Sequence, residues 1–226
     1  MNRQFNRDLQ DELYEQFARI CKALGSARRF EILELLSQGE HSVEQLARET
    51  FMSIANTSQH LQQLKAAKLV RIRKKGVGIY YRLADPTIYH LVDAVHSVAN
   101  SQLAEVDRIF DEYVSIRKDV VQISNEELED HIKQGTIQIL DVRPVNEYES
   151  GHISGAVNIP LQQLGQSVEP FDRKQKIVVY CRNYYSTLSD QAIEFLQSQG
   201  YEVLRLENGF SDWKYQGKAI ESVPMV

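Results

Sequence analysis

Cys181 closes the apolar run Ile177-Val178-Val179-Tyr180, and five polar or aromatic residues follow it, Arg182-Asn183-Tyr184-Tyr185-Ser186. After them Leu188, Ala192, Phe195 and Leu196 recur at helical spacing. The β-branched run reads as a buried strand, so the cysteine falls where a strand gives way to a helix. A thiolate there would face loop N–H groups and the positive end of the helix, both of which favour an anionic sulfur. That is a setting for a nucleophile. By themselves the residues also fit a small thiol filling a strand end, which is the commoner place for a cysteine.

A second set of residues is built for charge. No Asp or Glu occurs between Glu49 and Asp85, while Lys65, Lys68, Arg71, Arg73, Lys74, Lys75 and Arg82 fall in that interval. Within it Thr57, Leu61 and Leu64 form a buried helical stripe behind a capping Ser53, and Asn56, Gln59 and Gln63 take the opposite face with Ser58 and Gln62 beside it. Amides and hydroxyls in such an array can read base edges in the major groove, and an acid-free basic block suits contact with phosphates. Both patterns also occur on solvated faces.

The rest of the chain must position these two sets. At 226 residues it is long enough for two domains. The net charge of -5 is unevenly shared: residues 1–118 carry 17 Lys+Arg against 15 Asp+Glu, and residues 119–226 carry 9 against 16. The two cysteines, Cys21 and Cys181, form no C-x-x-C pair, which excludes a disulfide framework and a thiolate zinc site. With no signal-peptide core and no apolar run long enough to span a bilayer, the expectation is a soluble, cytoplasmic protein with no membrane partner.

In the first half Leu13, Phe17, Ile20, Cys21 and Leu24 make one helix, which Gly25 stops; Cys21 belongs to its apolar face, in a core or helix interface. Ser26 is placed to cap a second helix through Phe30, Ile32, Leu33 and Leu36, and Ser42-Val43-Glu44-Gln45 is a capping box for a third. The polar-faced helix from Ser53 is the fourth. Leu69 to Arg73 and Ile79 to Leu83 alternate around a basic turn, Lys74 to Gly78, and predict a hairpin. Helices followed by such a basic wing constitute a winged helix-turn-helix, the fourth helix being the reader and Arg71, Arg73, Lys74 and Lys75 the wing cations. Asp85-Pro86 then opens a helix whose apolar stripe runs from Ile88 through Val92, Val95, Val98, Leu103, Val106, Ile109, Phe110 and Tyr113 to Ile116. A helix that long would pair with the first helix of a second subunit and set two reader helices about one DNA turn apart.

Lys22-Ala23-Leu24-Gly25-Ser26-Ala27-Arg28-Arg29-Phe30-Glu31-Ile32-Leu33 and the segment Ser53 to Val70 resemble the ArsR/SmtB family of bacterial repressors. That resemblance implies a homodimer on an inverted-repeat operator in double-stranded DNA, released by an effector. Many members sense metals, but the thiolate pair some carry would fall around Glu40 to Leu46, which holds no cysteine. His90, Asp93 and His96 lack a matching downstream histidine. No metal is expected, and His90 and His96 read as surface or interface residues.

Arg117-Lys118-Asp119 marks the expected boundary, giving domains 1–118 and 119–226. Beyond it Ser124-Asn125-Glu126-Glu127 caps a helix that ends at Gly135, and Ile137 to Val142 is a strand delivering Asp141 and Arg143. A loop with Glu147, Tyr148, Gly151 and His152 leads to a short strand, Ala156 to Ile159; the Cys181 unit and the strand Val203 to Leu206 follow. Alternating strands and helices predict a parallel α/β sheet with its functional loops at strand C-terminal ends. The fold class is thus two domains, a mainly α winged helix and an α/β sheet domain.

Leu140-Asp141-Val142-Arg143, Glu147-Tyr148, Gly151-His152-Ile153-Ser154-Gly155-Ala156, the strand-Cys181-helix unit and Asn208-Gly209-Phe210 with Trp213 resemble a rhodanese domain. The resemblance implies that Cys181 takes sulfane sulfur from a donor such as thiosulfate or polysulfide, as a persulfide, and passes it to a thiol acceptor, with no cofactor. It makes Arg182, Asn183, Tyr184, Tyr185 and Ser186 the substrate loop, and Asp141, Arg143, Glu147 and His152 supporting partners. Arg182 is either a handle for an anionic donor or a solvated cation. Related phosphatases need an arginine six residues after the cysteine, where this chain has Thr187, and the six-residue loop suits sulfur. Rhodanese loops usually contain glycine; this one does not. The expected function is a regulator whose rhodanese domain handles reactive sulfur. The alternatives are a sulfurtransferase with a helical dimerisation module, or a regulator with an inert rhodanese pocket.

Overall fold

The computed structural model describes residues 3–113, 120–166 and 171–223, and the chain divides into two compact units, residues 1–96 and 97–226. The boundary expected at 118/119 falls outside the described residues.

The first unit runs α1 (Arg3–Leu24), α2 (Ala27–Gln38), β1 (His41–Ser42), α3 (Val43–Glu49), α4 (Ile54–Ala66), β2 (Val70–Lys75), β3 (Gly78–Leu83) and into α5 (Thr87–Gln102). The capping box forms as its sequence requires: Ser42 Oγ accepts the Gln45 N–H and the Gln45 side chain accepts the Ser42 N–H. Ser53 caps α4 by accepting the Asn56 N–H. Ser26 occupies the cap position of α2 in extended conformation, but its side chain makes no capping bond. Instead Arg29 donates to the carbonyls of Lys22 and Ala23 at the end of α1 and to Gln63 on α4, so one guanidinium ties three helices.

Ile32, Leu33, Leu36, Leu46, Leu61 and Leu64 form the centre of this unit. The hairpin carries its strands further than the turn residues predict: Lys75 pairs with Gly78, so Lys74 and Lys75 are strand residues and Gly76-Val77 alone make the turn. Gly76, at φ 56, supplies the left-handed residue this tight turn needs. β1, which the sequence did not signal, adds to β3 in a sheet of order β1-β3-β2.

One expectation is corrected here and one is narrowed. The long helix is interrupted at Leu103 into α5 and α6 (Ala104–Tyr113). The Ser101 hydroxyl, just before the break, donates to the Val98 carbonyl, and such side-chain bonds compete with the helical ladder. The stripe's end at Phe110, Tyr113 and Ile116 lies outside the described side chains. Cys21 is exposed, as are its neighbours Leu13 and Phe17, so this face of α1 is not part of the protomer's core.

The second unit contains β4 (Gln122–Ile123), α7 (Asn125–Gln134), β5 (Ile137–Asp141), α8 (Val145–Ser150), β6 (His152–Ile153), β7 (Val157–Asn158), a 3-10 helix (Leu161–Gln166), β8 (Lys176–Tyr180), α9 (Leu188–Ser198), β9 (Val203–Leu206), α10 (Gly209–Tyr215) and β10 (Ile220–Glu221). Five strands form a parallel sheet of order β4-β9-β8-β5-β7, with β8 at its centre. A central strand is buried on both faces, which explains its continuous apolar run. Ile177 and Val179 join a core with Ala192 and Leu196 of α9, while Val178 and Tyr180 face a second core with Leu128 and Trp213. The strand's alternation puts Cys181 on the α9 side. Glu147 and Tyr148 lie on a helix rather than in a loop, and β10 pairs with β6 in a separate two-stranded sheet.

Candidate functional site

Cys181 stands at the C-terminal end of β8 with 2 % of its surface exposed. Its Sγ lies 3.2 Å from Ser189 Oγ, 3.5 Å from the Asn183 carbonyl oxygen and 3.7 Å from that of Ser186. The sequence places loop N–H groups around the sulfur; the structure engages two of them elsewhere. Asn183 Oδ1 accepts the N–H groups of Tyr185 (3.1 Å) and Ser186 (3.0 Å). This side-chain-to-backbone turn shapes a loop that has no glycine. The polar neighbours of Sγ are therefore two carbonyl oxygens and the Ser189 hydroxyl.

The loop is fixed from three sides. Phe210 N–H donates to the Cys181 carbonyl (2.9 Å) and Ser211 N–H to that of Arg182 (3.1 Å), so the start of α10 rests on the loop backbone. Gly209 makes that approach possible: at φ 76, a Cβ there would lie 2.8 Å from the Cys181 oxygen and 2.9 Å from the Asn183 nitrogen. From α8, the buried Glu147 holds Arg182, whose Nε lies 2.9 and 3.0 Å from its two carboxylate oxygens. Arg182 is thus paired with a carboxylate from the same domain, its side chain remaining 19 % accessible.

The third support comes from β9. Arg205, 1 % exposed, donates through Nη2 to the Tyr184 carbonyl (2.8 Å) and through Nε to Ser189 Oγ (3.2 Å). Asp190 Oδ1 lies 3.4 Å from the same Nε, and the guanidinium sits 5.4 Å from the centre of the Tyr184 ring. Tyr184 and Tyr185 pack edge to face at 5.4 Å. The sequence alone singles out neither Ser189 nor Arg205. An arginine inside the apolar strand Val203-Leu204-Arg205-Leu206 was the available signal. Ser189 gives no apolar signal: the stripe of Leu188, Ala192, Phe195 and Leu196 packs on the core as read, and Ser189 is buried beside it with Asp190 and Ile193.

Asp141, Arg143, Glu147 and His152 all lie in the body of the domain. Arg143 Nη2 is 2.6 Å from Asp141 Oδ2, both side chains being fully buried, and it also donates to the Gly151 carbonyl at 2.8 Å. Tyr180 Oη donates to the same Asp141 oxygen at 2.6 Å. Burial, together with the charge on Asp141, pushes the Tyr180 phenol well above its usual range and keeps it a donor. His152 stacks on Tyr148 at 3.7 Å, and its Nδ1 lies 2.9 Å from the Tyr148 carbonyl oxygen. These residues brace β5, β8 and α8 through one another, backbone carbonyls, Tyr180 and the Arg182 of the loop.

On the first unit Thr57, Leu61 and Leu64 are buried, and Ser53, Asn56, Gln59, Gln62 and Gln63 are exposed, with Ser58 half-buried. Gln63 accepts the bond from Arg29, and Arg73 pairs with Glu40 at 3.2 Å. Arg71, Lys74 and Lys75 line the wing. Phe51, in the turn before α4, is 96 % exposed at φ 53. Among the described residues no group of three or more His, Cys, Asp or Glu could hold a metal ion, and no helix is long and apolar enough to cross a membrane.

Residues 26–71 match the bacterial regulatory proteins of the arsR family, and residues 124–216 match the rhodanese-like domain. The HTH-type transcriptional regulator Rv0324 of Mycobacterium tuberculosis is 36 % identical over 214 residues, covering 95 % of this chain and 94 % of that protein. This chain is an ArsR-family transcriptional regulator with a C-terminal rhodanese domain. The thiosulfate sulfurtransferase GlpE of Coxiella burnetii is 35 % identical over 41 % of this chain and 86 % of its own length. A solved homodimeric winged helix-turn-helix domain of a possible ArsR-family regulator from Mycobacterium bovis is 41 % identical, covering 42 % of this chain and 87 % of that one, with a TM-score of 0.40. The regulator thus joins a DNA-binding half to a half related to sulfur-transfer enzymes.

Proposed function

We propose that this regulator binds an inverted-repeat operator as a homodimer in the cytoplasm, and that Cys181 of its rhodanese domain accepts sulfane sulfur as a persulfide that sets the DNA-binding state. The observation that carries the sulfur half is the position of Cys181, at the C-terminal end of the central parallel strand and on a six-residue loop. The Cys181 thiolate attacks the outer sulfur of thiosulfate. The S–S bond of the donor breaks, sulfite leaves with the electron pair, and Cys181 carries the new S–S bond. An acceptor thiolate then attacks the terminal sulfur and returns the Cys181 thiolate. With polysulfide, a shorter polysulfide is the leaving group.

In the DNA half, Ser53, Asn56, Ser58, Gln59 and Gln62 face the major groove, and Arg71, Lys74 and Lys75 contact phosphates. Gln63 and Arg73 contribute through their bonds to Arg29 and Glu40. The exposed Leu13 and Phe17 of α1 and Val98 of α5, each 47–62 % accessible, are covered by a second copy. The two functional halves divide at 118/119, after the dimerising helices. The likeness to GlpE favours turnover as well as sensing, so the rhodanese domain is also a sulfurtransferase.

The test is mass spectrometry of the full-length protein after thiosulfate or polysulfide, followed by operator binding of the treated sample. The expected result is one added sulfur on the Cys181 peptide, absent in Cys181→Ser, with altered operator affinity. A Cys181 peptide that gains no sulfur from either donor overturns the sulfur assignment.

A further inference from the structure

Two of the polar groups nearest the Cys181 sulfur are acceptors. Two carbonyl oxygens, of Asn183 and Ser186, lie 3.5 and 3.7 Å from Sγ, and oxygen lone pairs repel an anionic sulfur. The N–H groups of Tyr185 and Ser186 are engaged by Asn183 Oδ1. Arg182 is matched by Glu147. With those two N–H groups turned to Asn183, a side-chain donor within reach of Sγ adds to what the rest of the loop backbone supplies to a thiolate or persulfide.

Ser189 is placed to be that donor. Its Oγ is 3.2 Å from Sγ and accepts the Arg205 Nε–H at 3.2 Å, which leaves the serine proton available to the sulfur. We infer that Ser189 is the hydrogen-bond donor to the anionic sulfur of Cys181, and that Arg205 is the positioning residue behind it, orienting and polarising the hydroxyl from β9. Arg205 also holds the Tyr184 carbonyl, so the same guanidinium fixes the far side of the loop. The serine is fully buried and the arginine 1 % exposed, so the relay works out of water, where hydrogen bonds to charge are strongest. Asp190 on α9, 3.4 Å from Arg205 Nε, keeps the buried cation matched. The charged groups around the sulfur are therefore Arg205 from β9, Asp190 from α9, and the Arg182–Glu147 pair from the loop and α8. When the thiol loses its proton, the contact to the carbonyls loses its donor and the contact to Ser189 gains one. The site thus has one set of partners for the thiol and another for the anion.

This inference rests on reading Cys181 as a sulfur acceptor, but its test needs no sulfur donor. In full-length protein carrying Cys21→Ser, Cys181 is the sole thiol, and its thiolate absorbs in the ultraviolet. In Ser189→Ala, the pH at which that absorbance reaches half its plateau is expected to rise by about 1, a tenfold loss of thiolate below the midpoint, as expected for a lost hydrogen bond to charge. Arg205→Met is expected to do the same and Arg205→Lys to recover part of the loss, a rescue that a purely structural arginine would not give. Where Arg205→Met does not fold, Ser189→Ala alone decides, because it leaves the Arg205–Tyr184 bond in place. A Ser189→Ala protein that titrates as its parent does overturns the inference. A shifted titration in a protein that never loads sulfur upholds the relay while removing the sulfur assignment.

Discussion

The two units treat charge in opposite ways. Among the described residues of the first, the buried polar groups are Ser37, Gln38, His41, Thr50 and Thr57, with no carboxylate or guanidinium among them. The second encloses two carboxylate–guanidinium pairs, Asp141–Arg143 and Asp190–Arg205, and a third, Glu147–Arg182, with its carboxylate buried and its arginine partly accessible. Charge left at a surface costs the fold little and acts on a polyanion at a distance. Buried charge is expensive unless matched, and once matched it holds loop and strand ends in one arrangement. The first unit keeps its cations at or near the surface, some of them, such as Arg73, in accessible pairs. The second spends them on its own shape, which a small reactive site requires.

The contrast is most easily broken at Asp141. Asp141→Ala leaves Arg143 buried without its carboxylate, and should lower the stability of the C-terminal unit by about 3–5 kcal/mol in chemical denaturation. Replacing both residues by apolar ones should recover most of that. A loss below about 1 kcal/mol would mean that the buried pairs are no more decisive than surface ones.

Lys214 tests the same point with a partly buried cation. Burial, helped by the nearby charge of Arg143, pulls its ammonium down to about 8 from 10.5. The unfolded chain therefore binds more protons than the folded one between these values, and stability should rise with pH across that window. Burial pushes Tyr215 up to about 12 from 10.0, which acts in the opposite direction above pH 10. Lys214→Met should flatten the rise between pH 8 and 10 and add about 2 kcal/mol at neutral pH. Denaturant titrations at pH 7, 8, 9 and 10 would follow it, and an unchanged slope would place the lysine in water.

The wing should give the smallest effect on stability and a clear one on binding. Lys74→Ala with Lys75→Ala should move unfolding by less than about 0.5 kcal/mol, yet reduce the salt dependence of operator binding by about two phosphate contacts. Comparable losses in stability and binding would erase the distinction between the units.

Local signals made much of this architecture legible. The capping boxes at Ser42 and Ser124, the Ser53 cap and the left-handed Gly135 each depend on residues within a few positions of one another, and all appear as read. The same holds for the strand, cysteine and helix around position 181. What escaped depends on pairing across the fold. β1 and β10 are two-residue strands defined only by their partners β3 and β6. The engagement of Arg182 joins residues 35 positions apart and that of Arg73 residues 33 apart. Ser189 and Arg205 are polar members of an apolar helix face and an apolar strand, and their roles depend on each other across the fold.

The enclosure of Cys181 sets a kinetic regime as well as a geometry. With 2 % of the residue accessible, a reagent reaches the sulfur only while the loop stands open. The observed rate is then the intrinsic rate scaled by the open fraction whenever closing outpaces reaction. Loop substitutions can accordingly change the speed of modification without touching the chemistry at sulfur. Reagents of different size will report different apparent reactivities for one and the same thiol.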